Sequence, residues 1–155
     1  MTKLLLSLHV LAAVIAVGPV TVAASMFPAA ARHAHAAAPD EPPLATVRLL
    51  HRICRVYTLV GVSVPVFGLA TANTMGVLTD TWLIASMLLT AVAAVVLAAL
   101  VLPRQESLLT QLTTAPPTLD RRTTTRLAMS TGIFNLLWTT VTILMIVRPG
   151  STTGA

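Results

Sequence analysis

Four stretches of the chain, Leu4 to Pro28, Val56 to Asn73, Trp82 to Leu102 and Leu127 to Val147, contain no Asp, Glu, Lys or Arg. A helix needs roughly 20 apolar residues to cross a hydrocarbon core about 30 Å thick, and in lipid a backbone meets its own polar needs only as a helix or a closed barrel. The stretches therefore predict an all-α fold: a four-helix transmembrane bundle, antiparallel, forming a single integral membrane domain over residues 1–155. The second helix begins ahead of its uncharged stretch, because Arg48, Arg52 and Arg55 recur at helical spacing and can snorkel to the headgroups. With Asp120 as the N-cap of the last helix, the spans are about 4–28, 47–73, 82–102 and 123–147. Composition agrees. The chain is 55% hydrophobic and 10% charged, where a soluble domain carries about a quarter charged residues.

The connecting segments differ in character. Ala29 to Ala45 is rich in Ala and Pro, and Pro39, Pro42 and Pro43 cannot sustain a helix, so a solvated connector is expected. Asn73 to Asp80 contains Gly76 and predicts a tight reversal that makes the second and third spans neighbours. The third loop, Pro103 to Arg126, starts with an interfacial stretch, SLLTQL, and breaks at Pro116-Pro117.

Positive charge sets a topology. Arg32, Arg48, Arg52, Arg55, Arg104, Arg121, Arg122 and Arg126 flank the first and third loops, against Lys3 and Arg148 on the other side. The positive-inside rule then puts those loops in the cytoplasm as a basic face and both the N and C termini outside. Nine Arg to one Lys and abundant Ala suggest a GC-rich bacterial genome, hence a multi-pass protein of a bacterial plasma (inner) membrane. The lipid bilayer is the partner for this charge. Nucleic acid is not, since only 4% of residues are aromatic and no soluble basic surface exists for it. Lys3, the run to Val17 and Val22-Ala23-Ala24 before Ser25 also read as a signal peptide, but cleavage would invert the arginine asymmetry, so retention of the first span is expected.

With no Asp, Glu, Lys or Arg inside the spans, ion-coupled transport through a buried carboxylate loses its usual signature. Asp40, Glu41, Asp80, Glu106 and Asp120 all sit in loops or at span ends, and no Ser-His-Asp set or phosphate-cradling Gly loop is present, which leaves hydrolytic chemistry little to work with. Thr131, Asn135, Thr139 and Thr142 share one helical face of the last span. Such a stripe is expected to face another helix, with interhelical hydrogen bonds of about 0.6 kcal/mol each. His9 lies roughly 8 Å below the membrane boundary, within reach of Thr142 on the last helix. It reads either as a structural histidine or as a tentative ligand to haem or a metal.

Pro19 and Pro65 fall inside spans, each removing a backbone hydrogen bond. Ser86, Thr90, Ala94 and Ala98 form a small-residue ladder, with a looser one at Ala12, Ala16 and Ala24. These argue for close helix packing, and for a homodimer or a membrane-protein partner. His33, His35, and His51 with the single cysteine Cys54, give weak metal-ligand spacing; solvated histidines and a small packing cysteine are the simpler reading.

The segments LLLSLHVLAAVIAVGPVTVAASMFP, TWLIASMLLTAVAAVVLAALVLP and FNLLWTTVTILMIVRPG together resemble small four-helix bacterial integral membrane proteins grouped as a domain-of-unknown-function family. The Leu-His start, the apolar run ending in Gly, and the closing Arg148-Pro149 are also similar to HemJ-type protoporphyrinogen oxidases and, more distantly, to CopD-type copper-resistance membrane proteins. The resemblance implies His9 as a haem ligand. It does not extend to a lysine in a later helix, since Lys3 is the sole lysine here.

The function expected is that of a non-catalytic accessory or interaction component of the membrane. The alternatives are a haem-binding membrane redox protein using His9, or a small-solute or metal permeation protein with a pocket between Pro19, Pro65 and Asn135.

Overall fold

A computed structural model describes residues 1–37, 43–114 and 118–150. The helices run α1 (Thr2–Ala36), α2 (Pro43–Gly61), α3 (Ser63–Met75), α4 (Thr81–Val95), a π-helical turn (Val96–Val101), α5 (Leu102–Thr113) and α6 (Arg121–Val147). They make four stretches long and apolar enough to span a membrane: Thr2–Ala36, Leu44–Met75, Thr81–Thr113 and Arg121–Val147. The all-helical, four-span architecture predicted from the sequence is thus the observed one.

Three spans are longer than the sequence implies. α1 continues past Pro28 to Ala36, because the segment AAARHAHA is dominated by Ala, the strongest helix former, and meets no proline before Pro39. The helical part of the expected connector is therefore large. Pro39, Pro42, Asp40 and Glu41 lie outside the described residues, as does the expected break at Pro116-Pro117. The third span does not end at Leu102. Pro103 sits in the first turn of α5, directly after the π-turn, where the wider turn accommodates the ring and the missing N–H of a proline in a continuing helix. The π-turn just before it widens the helix, with the Leu102 N–H bonded to the Leu97 carbonyl, so the chain continues as α5 through SLLTQL. Pro65 acts differently, since α2 and α3 are separated at Val62, just ahead of it.

α1 is the central helix. It packs on α2, α3, α5 and α6, while α4 and the π-turn pack on α6. The main core joins Phe27 and Ala31 of α1, Val47 and Cys54 of α2, Leu108 of α5 and Leu127 of α6, all essentially inaccessible. It lies toward the end of the bundle that carries the two arginine-flanked loops, here called the arginine end. Ala16 and Ala24 of the α1 ladder are buried, which lets neighbours approach closely; of the ladder on the third span Ser86 is buried, whereas Ala94 and Ala98 are exposed. Leu59, Leu88 and Leu136 point outward, as a lipid-facing surface requires.

The reversal between the second and third spans differs from expectation. Gly76 caps α3 in the left-handed region, φ 70°, and the chain turns back. Even so, α3 and α4 meet chiefly at the turn, where Ala72, Trp82 and Leu83 form a small second core with Val77 and Met145. Below it the two helices diverge, α3 onto α1 and α4 onto α6, since the buried small residues of α1 draw α3 to that side.

Two predictions follow from this packing. Phe27→Ala, which empties a fully buried site, lowers stability by about 3 kcal/mol in reversible unfolding from mixed micelles, whereas Val66→Ala, on the outward-facing side of α3, changes it by less than about 0.5 kcal/mol. At the start of α6, Asp120 accepts hydrogen bonds from the amides of Arg122 and Thr123 and from the Thr123 hydroxyl. The Thr123 hydroxyl first, and then the Arg122 amide, hold its carboxyl below the usual carboxylate range. A depressed folded pKa means the cap stabilises fully above the usual carboxylate pKa and is lost as pH falls through the folded value. Amide exchange in the first turn of α6 should therefore accelerate only at strongly acid pH, and Asp120→Ala should show the accelerated exchange at all pH values.

Candidate functional site

The divergence of α3 from α4 opens a cleft of about 1500 Å³ at the end of the bundle bearing both termini. Its walls come from α1, α3, α4 and α6, and its lining is largely apolar: Val10, Val14, Leu69, Met87, Val141 and Met145 are representative. Pockets for small molecules measure roughly 300–1,000 Å³, so this one has room for a large ligand. Its polar groups are few. The residues that bring them are His9, Thr21, Thr71, Thr90 and Thr142, the indoles of Trp82 and Trp138, and at the rim Arg148.

His9 is fixed from two sides. Its Nδ1 lies 2.9 Å from the Val64 carbonyl on α3. A carbonyl only accepts, so Nδ1 carries the proton and, in the neutral ring, Nε2 carries the lone pair. Among the described residues Nε2 has no hydrogen-bond partner. Beside the ring stands Gly68, where a Cβ would come within 2.9 Å of Cε1 and 3.1 Å of Nδ1. A side chain at 68 would push the imidazole away, so glycine here makes room for the ring. The arrangement, an Nδ1–H held by a backbone carbonyl with the second nitrogen open to a cavity, is that of histidines that bind metals through Nε2.

The partner of His9 is thus Val64 of α3 and not Thr142. The Thr142 hydroxyl donates to the Trp138 carbonyl of its own helix at 3.0 Å, and Thr139 does the same to Asn135 at 2.8 Å. Returning the hydroxyl to the preceding turn removes the need for an interhelical partner, which is how both threonines come to be exposed. The stripe therefore divides. Thr131 is buried and Asn135 faces α1, its amide donating to the Ser25 hydroxyl at 3.2 Å. Asn135 Oδ1 and Thr131 Oγ1 are buried without partners among the described residues. Of the residues expected around a permeation pocket, Pro65 lines the cleft, whereas Pro19 and Asn135 are not part of its lining.

At the arginine end, Arg48, Arg52, Arg55, Arg121, Arg122 and Arg126 are all exposed, as a face against headgroups requires. Arg104 turns inward instead and donates to the Ser130 hydroxyl and the Arg126 carbonyl, tying α5 to α6. His51 and Cys54 do not pair with each other: the fully buried Gln105 stands between them, its Oε1 3.1 Å from His51 Nδ1 and its Nε2 3.4 Å from Cys54 Sγ. His33 and His35 are exposed in the last turn of α1. Sequence reasoning missed Gly68, Arg148 and Trp82 as parts of one site, since they come from three different spans.

The Asn135 contact is a weak one by this geometry. Asn135→Leu deletes one interhelical hydrogen bond but also removes a buried carbonyl oxygen without a partner, so its net effect should stay within about 1 kcal/mol in micelle unfolding.

A family model described as "Predicted integral membrane protein (DUF2269)" matches residues 3–149. No curated protein and no solved structure matches the chain, so similarity to HemJ-type and CopD-type proteins gains no support from relatives. The match takes in all four spans, the cleft and both sides of the His9 contact. By that match, the chain belongs to the DUF2269 family of predicted integral membrane proteins.

Proposed function

We propose that the protein is a haem-binding component of a bacterial plasma membrane, acting as an accessory without catalysis of its own, with haem b held in the cleft through His9. The observation that carries this reading is the imidazole: Nδ1 is committed to the Val64 carbonyl at 2.9 Å, and Nε2, on a residue that lines a large apolar cavity, has no partner among the described residues. A histidine needed only for packing gains nothing from an open nitrogen in an apolar environment, where an unmet polar atom costs free energy. A haem iron would be the partner that nitrogen lacks.

The rest of the cleft fits a planar apolar macrocycle. The volume is ample, the walls are aliphatic and thioether side chains, and a cation waits at the rim. When bound, haem would supply one-electron chemistry; the chain's own residues orient the imidazole, fix its tautomer and surround the macrocycle with apolar contacts. The two-sided support of His9 by Val64 and Gly68 would set the ligand's plane. In this reading the arginine face lies in the cytoplasm and both termini, with the cleft, lie on the outer side, as the arginine asymmetry supports.

Protein purified from its native membrane, or supplied with haem in detergent, should show a Soret band shifted from that of haem in the same detergent without protein. His9→Ala should abolish it, and Gly68→Ala, by displacing the ring, should weaken haem affinity at least tenfold, while both variants keep wild-type helicity. A Soret band identical to that of haem in protein-free detergent, or an unchanged shifted band in His9→Ala, refutes the reading.

A further inference from the structure

We propose that Arg148, stacked on Trp82, forms a carboxylate-binding rim of the cleft, and that it receives the propionate arms of the haem held by His9; this rests on the haem reading above.

The first observation is the state of the guanidinium. Arg148 is the sole cationic side chain other than the histidine among the residues lining the cleft. Its guanidinium carbon stands 5.6 Å from the centroid of the Trp82 ring, and Nε donates to the Met145 carbonyl at 3.3 Å. Stacking on an indole leaves the edge of the fork, with its remaining N–H donors, free to bind a planar carboxylate. Among the described residues no carboxylate takes them. Asp80, the acid beside Trp82, accepts from the indole Nε1 at 3.0 Å and so holds the platform on which the guanidinium rests.

The second is the backbone. Arg148 adopts φ 45° and ψ 58°, the one described residue other than glycine at positive φ, an uncommon state for a side chain of this size. Its N–H closes on the Leu144 carbonyl at 2.9 Å. This cap ends α6 and turns the side chain back over the cleft toward α4, where an extended continuation would carry it off the end of the bundle.

The third is depth. His9 lies roughly two helical turns from the start of α1, and Gly68, against its ring, two turns from the end of α3. Both distances place the imidazole about 10 Å below the end of the bundle. Trp82 opens α4, directly after the turn that follows α3, so its stack with Arg148 marks that end. A ligand on His9 Nε2 that reaches Arg148 must therefore be apolar for about 10 Å and then present an acid. Haem has that shape, its propionates extending from one edge of the macrocycle, and a carboxylate there would meet the rim cation at the membrane boundary instead of being buried unpaired.

The full-length protein in detergent is titrated with haem b and, separately, with its dimethyl ester, whose arms are uncharged, and each is followed by its Soret band. Wild-type protein should bind the free acid about tenfold more tightly than the ester, the worth of one charge-assisted contact. Arg148→Gln should bind both with the ester's affinity and with an unshifted Soret maximum, since the iron ligand is untouched. Wild-type protein that binds both forms equally, or an Arg148→Gln variant that keeps the tenfold preference, overturns the rim and leaves the His9 reading standing. Wild-type protein that binds neither form overturns both. The wild-type comparison needs no variant, so a failure of Arg148→Gln to fold does not shield the proposal.

Discussion

In hydrocarbon, each helix must satisfy its own backbone, and helices then associate mainly through how closely their side chains let them approach. In this chain close approach is concentrated at one end. The arginine end carries the inaccessible core around Phe27, Ala31, Val47, Cys54, Leu108 and Leu127, extended by the helical tail of α1 and by α5, while the terminal end carries only the small cluster at Ala72, Trp82 and Leu83. One end of the bundle holds the helices together, and the other is thereby free to part. The cleft is a consequence of that asymmetry and needs no special loop or insertion to form it.

The prolines contribute to the same division. Pro103 is accommodated by a π-turn that keeps the third span continuous into the packed end, so Leu108 and Leu112 reach the main core. Pro65 instead lies just past the point where the second span is interrupted, and α3, like α2, packs on α1. There the Val64 carbonyl meets His9 and Gly68 admits the ring. A helix boundary of this kind, usually read as mere irregularity, here sets where a side chain from another span is gripped.

The polar residues inside the spans follow one of two routes. Threonines on exposed or cleft positions return their hydroxyls to their own helices, as Thr71, Thr90, Thr139 and Thr142 do, and so demand nothing of neighbouring helices. Histidine cannot do this through both nitrogens, and His9 has its second nitrogen on the cleft. The proposed iron site and the proposed rim at Arg148 answer to that difference: one would supply a metal for the nitrogen, the other an ion for the free edge of a guanidinium.

What the sequence by itself determined was the solvent and the number of spans, because the four uncharged stretches are a property of local composition and lipid permits few alternatives to a helix. The arginine asymmetry, the Asp120 cap and the singling out of His9 were equally local. It did not reach the partner of His9, since a hydrogen bond to a backbone carbonyl leaves no trace in residue identity, nor the separation of α3 from α4, where the short turn at Gly76 implied neighbours along their whole length. It extended the polar stripe too far, because periodicity places Thr131, Asn135, Thr139 and Thr142 on one face but cannot say which hydroxyls turn back on their own helix. Only the tertiary structure decided that His9, Gly68, Trp82 and Arg148 share one cleft, because that depends on which helices α1 draws against itself, a matter of packing between segments far apart in the chain.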